Sequence, residues 1–132
     1  MKQEWIETGW AWTAKFKLSP GVRMGDTIYV SGMVAFAEDG TVVGENDMYA
    51  QSVQVFRNIE GVLKAGGASM DDVVKLTSWI VDMDRFGDFA RARNEAFANG
   101  IACNTAVGAP RLALPSLLVE AEAMAVIGSA RA

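Results

Sequence analysis

Histidine is absent from the 132 residues. That absence removes Ser-His-Asp chemistry, histidine-ligated zinc and histidine acid–base catalysis. Any proton transfer must therefore come from carboxylates, Lys, Tyr, Cys or ordered water. One cysteine, Cys103, excludes an internal disulfide, so a reducing compartment is allowed. No apolar run is long enough to cross a bilayer, and the opening MKQEWIETGW lacks the apolar centre of a signal peptide. The expectation is a cytoplasmic protein without a membrane partner. Positive charge is scarce: 12 Lys and Arg stand against 16 Asp and Glu, a net charge of −4. The basic residues are also scattered, which argues against nucleic acid as the main partner, because phosphate binding needs concentrated Lys and Arg.

What is present is a globular profile in which half the residues are apolar. Repeats, low-complexity tracts and linkers are missing, so one domain over residues 1–132 is expected. A chain of this size buries about 68–70% of its unfolded surface, enough for a core without metals or disulfides.

Gly25-Asp26 reads as a turn opening a strand from Thr27 to Val34. Ile28, Val30 and Val34 share one face of that strand, and Tyr29, Ser31 and Met33 the other. Glu38-Asp39-Gly40 reads as a hairpin turn into Thr41-Val42-Val43. A helix begins near Asn46-Asp47, either of which can cap it, and Gly66-Gly67 ends it. Its buried stripe is read as Tyr49, Val53, Phe56, Ile59 and Leu63, with Gln51, Gln54, Asn58 and Lys64 away from it. Val73 to Val81 is a β-branched strand. A second helix runs from Asp84 to Asn99-Gly100, followed by strands at 104–109 and 117–127. The last strand alternates, with Val119, Ala121, Ala123, Ala125 and Ile127 on one face and Leu118, Glu120, Glu122 and Met124 on the other.

This order predicts an α+β fold, one mixed sheet with two helices on one face. The opposite face combines Tyr29, Met33, Trp79, Leu118 and Met124 with Ser31, Glu120 and Glu122. It is too apolar for open water and too polar for a core, so it reads as a subunit interface enclosing a partly polar cleft.

Several blocks resemble the reactive-intermediate deaminase family (RidA/YjgF type, also called the endoribonuclease L-PSP family). Gly25-Asp26-Thr27-Ile28-Tyr29-Val30-Ser31-Gly32 is similar to its first strand, and Ala50 to Ile59 to its first helix. Leu63 to Lys75 resembles the helix end and next strand; Leu112-Ala113-Leu114-Pro115 with Leu118 to Ala125 resembles the carboxy-terminal signature. The resemblance covers about residues 18–126. It implies a chorismate-mutase-like subunit, a homotrimer with a central barrel, and ligand clefts between subunits. It also implies hydrolysis of reactive enamines and imines to ammonia and a keto compound, without metal or organic cofactor.

The family pattern is broken at the cleft. Deaminating members carry an arginine whose fork grips the substrate carboxylate; Asn104 stands there, and an amide cannot neutralise a carboxylate. Met33 replaces the usual glutamine after Ser-Gly, Leu18 a tyrosine, and Ala102-Cys103 a Pro-Ala pair. Glu120 matches the glutamate that positions water; a carboxylate beside apolar groups has a raised pKa. Its alternative role is an ion pair across a subunit seam. The expected substrate-binding set is Asn104, Ser31, Leu18, Met33 and Cys103, although alternation turns Cys103 away from Asn104 and most lone cysteines are small buried hydrophobes. Trp5, Trp10 and Trp12 either form a lid or cover the domain edge. The leading function is a small-molecule hydrolase with specificity shifted from carboxylate-bearing imines. The alternatives are a non-catalytic binding or chaperone-like trimer and, with less support, an endoribonuclease.

Overall fold

The computed structural model describes residues 1–132. Its six strands are β1 (Glu4–Trp5), β2 (Gly21–Met24), β3 (Thr27–Met33), β4 (Val73–Ile80), β5 (Asn104–Gly108) and β6 (Val119–Val126). They form one sheet in the order β1-β2-β3-β6-β4-β5. Pairing is antiparallel except at β4–β5, which run parallel. The helices are α1 (Ala11–Phe16), α2 (Met48–Gly66) and α3 (Phe86–Ala96). The mixed α+β architecture is the one the alternation of patterns predicts.

The core lies between the sheet and the two long helices. β6 buries Val119, Ala121, Ala123 and Ala125, while the residues between them remain partly or fully exposed. Alanine at three of these positions lets α2 approach closely. Asp47 caps α2, its side chain accepting a hydrogen bond from Ala50 N at 2.9 Å, and Gly67 closes the helix with φ +93°. The Glu38-Asp39-Gly40 turn is present, but it joins no full hairpin: the only pairing across it is a single bridge between Phe36 and Val42.

The stripe of α2 is displaced from the expected one. Gln51 and Asn58 are buried, whereas Tyr49 and Val53 lie at the margin. The amides are tolerated because every one of their polar atoms has a partner to hold. Gln51 Nε2 donates to Gly44 O (3.1 Å) and Ser116 O (2.8 Å), and its Oε1 accepts from Leu118 N (2.9 Å). Asn58 Nδ2 donates to Val34 O (3.0 Å) and Phe36 O (2.9 Å), and its Oδ1 accepts from Gln54.

Two residues expected on the uncovered face are in the interior instead. β3 pairs with β6 through Val30↔Ala123 and Met33↔Ala121, so three steps on β3 answer two on β6. This bulge turns Met33 to the buried side, where its accessibility is 0%. The expectation that Met33 shapes a ligand cleft is thereby corrected. Leu118 is also buried, at the entry to β6 where Gln51 holds its N–H.

The tryptophans Trp10 and Trp12 stack with centroids 5.7 Å apart, and Trp12 meets Phe36 edge-on at 5.6 Å. Trp10 packs against α2 at Gly61. Trp10 and Trp12 therefore cover the domain, whereas Trp5 stays exposed on β1.

Candidate functional site

Glu120 sits in the middle strand of the uncovered face. Across β4 its partner is Trp79, and Trp79 is in turn level with Val107 on β5. On the other side lies Gly32, in the bulged stretch of β3. A Cβ built at Gly32 would overlap the Glu120 carboxylate, so the missing side chain is what admits it. Gly32, Glu120, Trp79 and Val107 thus form one level across the sheet.

The carboxylate is half-buried and takes part in none of the chain's hydrogen bonds or four ion pairs. Burial pushes its pKa above the ordinary range, and the charge of Glu122 pushes in the same direction. Glu122 is exposed, opposite Thr77. No pair of opposite charges neutralises either acid within the chain.

Ser31 adjoins Gly32 and is exposed, but its hydroxyl already has a partner. Oγ donates to Ser19 O at 2.8 Å, and Ser31 N donates to Pro20 O at 2.9 Å. These bonds dock the segment carrying Leu18, which is 55% exposed, against the bulge. Leu18, Ser31 and Glu120 are therefore brought to one region by β3 and its bulge.

Asn104 is not brought there by its own chain. In the β4–β5 register it lies beside Leu76, which is fully buried beneath the helices. Neighbours in register share a sheet face, so Asn104 belongs to the helix side at the sheet edge. Its amide is exposed and makes no hydrogen bond within the chain. Cys103, one residue earlier, alternates to the other face; it is exposed, and its carbonyl accepts from Leu76 N at 2.9 Å.

A cavity of about 640 Å³ lies elsewhere. Asp71, Asn99 and Arg131 line it and bond to one another: Asn99 Nδ2 to both Asp71 oxygens (3.2 Å) and Arg131 to Asn99 O (3.1 Å). Nothing in it adjoins Glu120. In one chain the Glu120 region is an open face, not a closed pocket. No group of His, Cys, Asp and Glu side chains capable of holding a metal is present. No helix is long and apolar enough to cross a membrane.

A sheet with two helices on one face and an unpaired carboxylate on the other defines the class of subunit at issue. The family model for endoribonuclease L-PSP matches residues 9–127. The RutC family protein YjgH of Escherichia coli is 37% identical over 102 residues, 76% of each chain. A RutC family protein of Pyrococcus abyssi is 30% identical over 107 residues, covering 81% of this chain and 84% of that one. Among solved structures, YyfA of Yersinia pestis, from the conserved Rid protein family, superposes with a TM-score of 0.87 at 29% identity. That match covers 96% of this chain and all of the other. The chain belongs to the RidA/YjgF family, also called endoribonuclease L-PSP.

Sequence reasoning misses Gly32 as a site residue. Its signal is present: a glycine in a strand interior marks a bulge or a close approach by another group. The hydrogen-bonding duty of Gln51 has no comparable signal, since it depends on loops distant in sequence.

Proposed function

We propose that this protein is a homotrimeric hydrolase of reactive imines or enamines, with Glu120 positioning and activating the attacking water. The observation carrying this reading is the Glu120 carboxylate itself: half-buried, unpaired, raised in pKa and admitted by Gly32. A carboxyl group titrating closer to neutrality can take a proton from water and return it to the departing nitrogen. Water adds to the C=N carbon, the nitrogen is protonated, the C–N bond breaks, and ammonia leaves a carbonyl behind.

The uncovered face supports a trimer. Trp5, Val22, Tyr29 and Met124 are successive cross-strand neighbours on it, with Trp5 59% and Tyr29 44% exposed. Leaving large apolar side chains wet forgoes about 1.5–3 kcal/mol each, which self-association recovers. A closed ring does so without open-ended growth. In that assembly Leu18 and Ser31 flank the Glu120 water, and Asn104, on the far side of its own sheet, enters the cleft from the adjoining subunit. Cys103 stays at the margin of the same cleft.

Asn104 in place of a cation shifts preference away from substrates held by a carboxylate. The test compares ammonia release from 2-iminopropanoate with release from an uncharged imine, in wild type, Glu120→Gln and Asn104→Arg. Loss of turnover in Glu120→Gln with ligand affinity retained supports hydrolysis. Retained turnover in Glu120→Gln rejects the assignment, and absence of turnover in the wild type favours the binding-protein alternative. RNA cleavage has less support, because the net charge of −4 opposes phosphate binding.

A further inference from the structure

We propose that Trp79 is the specificity-determining wall of the Glu120 site, and that the substrate carries an aryl or bulky branched-alkyl group that stacks on it. The inference rests on the hydrolase reading above and names the substrate class for it.

Three observations carry it. Trp79 is the direct cross-strand partner of Glu120 and stands on the same face, partly accessible. Side chains so paired lie about 4.5–5.5 Å apart at Cβ, so a ligand that spans the two strands from the carboxylate reaches the indole. Val107, 40% exposed, extends the apolar surface at the same level on β5. The opposite flank of Glu120 is Gly32, which offers no side chain to grip a substrate. At this level of the sheet the chain therefore supplies one acid, one large aromatic plane and one aliphatic group, and no cation. The one base on β4, Lys75, is level with Met124, toward the other end of β6.

The chemistry that fits this surface is an imine whose carbon sits over Glu120 and whose substituent lies flat on the indole. The Trp79 Nε1–H makes no hydrogen bond within the chain and is not among the buried unpaired groups, so it remains free to donate to a ligand. A small carboxylate-bearing imine such as 2-iminopropanoate would leave the indole uncovered and its own charge unmatched. For the imine formed by oxidising 2-phenylethylamine, hydrolysis consumes one water and yields phenylacetaldehyde and ammonia, with no other reactant.

The experiment generates that imine and 2-iminopropanoate separately with an amine oxidase and an amino-acid oxidase. It measures kcat/KM for each with wild type, Trp79→Ala, Trp79→Phe and Glu120→Gln. The expected result is a wild-type preference for the aryl imine of at least tenfold. Trp79→Ala should cut that ratio at least tenfold, mainly through KM, and Trp79→Phe should restore most of it. Binding of phenylacetamide, a stable neutral aryl amide, is followed by calorimetry in parallel and should weaken at least tenfold in Trp79→Ala. An unchanged selectivity ratio together with unchanged phenylacetamide binding overturns the proposal, even if Glu120→Gln abolishes turnover. Conversely, Trp79-dependent phenylacetamide binding without any wild-type turnover supports the wall and removes the hydrolase.

Discussion

Replacing Gln51 by leucine tests whether one buried amide holds the entry to the site strand. The change keeps the bulk of the side chain and removes three hydrogen bonds, to Gly44 O, Ser116 O and Leu118 N. The costs are unequal. Gly44 O retains a bond from Asp47 N at 3.0 Å, and both Gly44 and Ser116 are only partly buried, so their carbonyls can find water. Each of those lost bonds is worth about 0.5–1.5 kcal/mol net. Leu118 is buried, so its stranded N–H costs about 1–3 kcal/mol. Better solvation of a leucine in the core offsets part of the total, which leaves about 2–4 kcal/mol. That is a large share of the ~5–15 kcal/mol typical of a domain. Urea unfolding at one fixed protein concentration reads it as a lowered midpoint with an unchanged slope. Activity should fall as well, because Leu118 lies two residues before Glu120. The Gln51→Glu variant separates the contributions: it can still accept from Leu118 N but loses both donations. A loss below about 1 kcal/mol for Gln51→Leu would refute this ranking of unsatisfied groups.

Other consequences can be measured directly. Gly32→Ala places a methyl group where the Glu120 carboxylate lies; since the carboxylate is the flexible end of its side chain, stability should change by no more than about 0.5 kcal/mol. Turnover should nevertheless fall about a hundredfold, the usual cost of an ångström-scale misplacement, and equal activity would sever Gly32 from the site. Glu120→Gln should melt higher than wild type at neutral pH. Burial and Glu122 raise the Glu120 pKa, so the acid adds stability only while protonated and loses it as pH rises through the folded-state value. The two melting curves should therefore converge near the ordinary glutamate pKa of about 4.3, and a gap that persists there would contradict the sign. Asn104→Arg should raise kcat/KM on 2-iminopropanoate about tenfold or more, the worth of a charged hydrogen bond, and no gain would place Asn104 outside the cleft. Sedimentation equilibrium should give a trimer at micromolar concentration; a folded monomer throughout would remove the interface.

The legible parts of the fold are those where burial keeps to the period of the element. β6 alternates throughout and β4 from Leu76 onward, after a register shift at Val73–Lys75, and Asp47 and Gly67 mark the ends of α2 with the expected chemistry. β2 escapes notice because Gly21-Val22-Arg23-Met24 is short and mixed in character, and α1 because nothing outside it announces a cap. Alternation puts Met33 on the wrong face because it cannot count through a bulge, whose extra residue reverses the side chain that follows it. Composition puts Gln51 and Asn58 on the solvent side of α2 because it treats an amide as solvent-seeking. Their burial is decided by loop carbonyls and an N–H supplied from residues 34–44 and 116–118. Of the candidate site, Glu120 and Ser31 are visible from a signature, whereas the separation of Asn104 from Glu120 depends on the parallel β4–β5 register. Register between distant strands has no local signal.

The alternation along β6 has a consequence for how such a protein can change. Val119, Ala121, Ala123 and Ala125 are locked against α2, where one added methyl group would have to displace a helix. Glu120, Glu122 and Met124 look the other way and touch none of that packing. A single strand thus carries two independent inheritances, one for shape and one for chemistry, interleaved residue by residue. New substrates can be explored at the even positions while the odd ones keep the fold, so divergence in activity need leave no trace in the backbone.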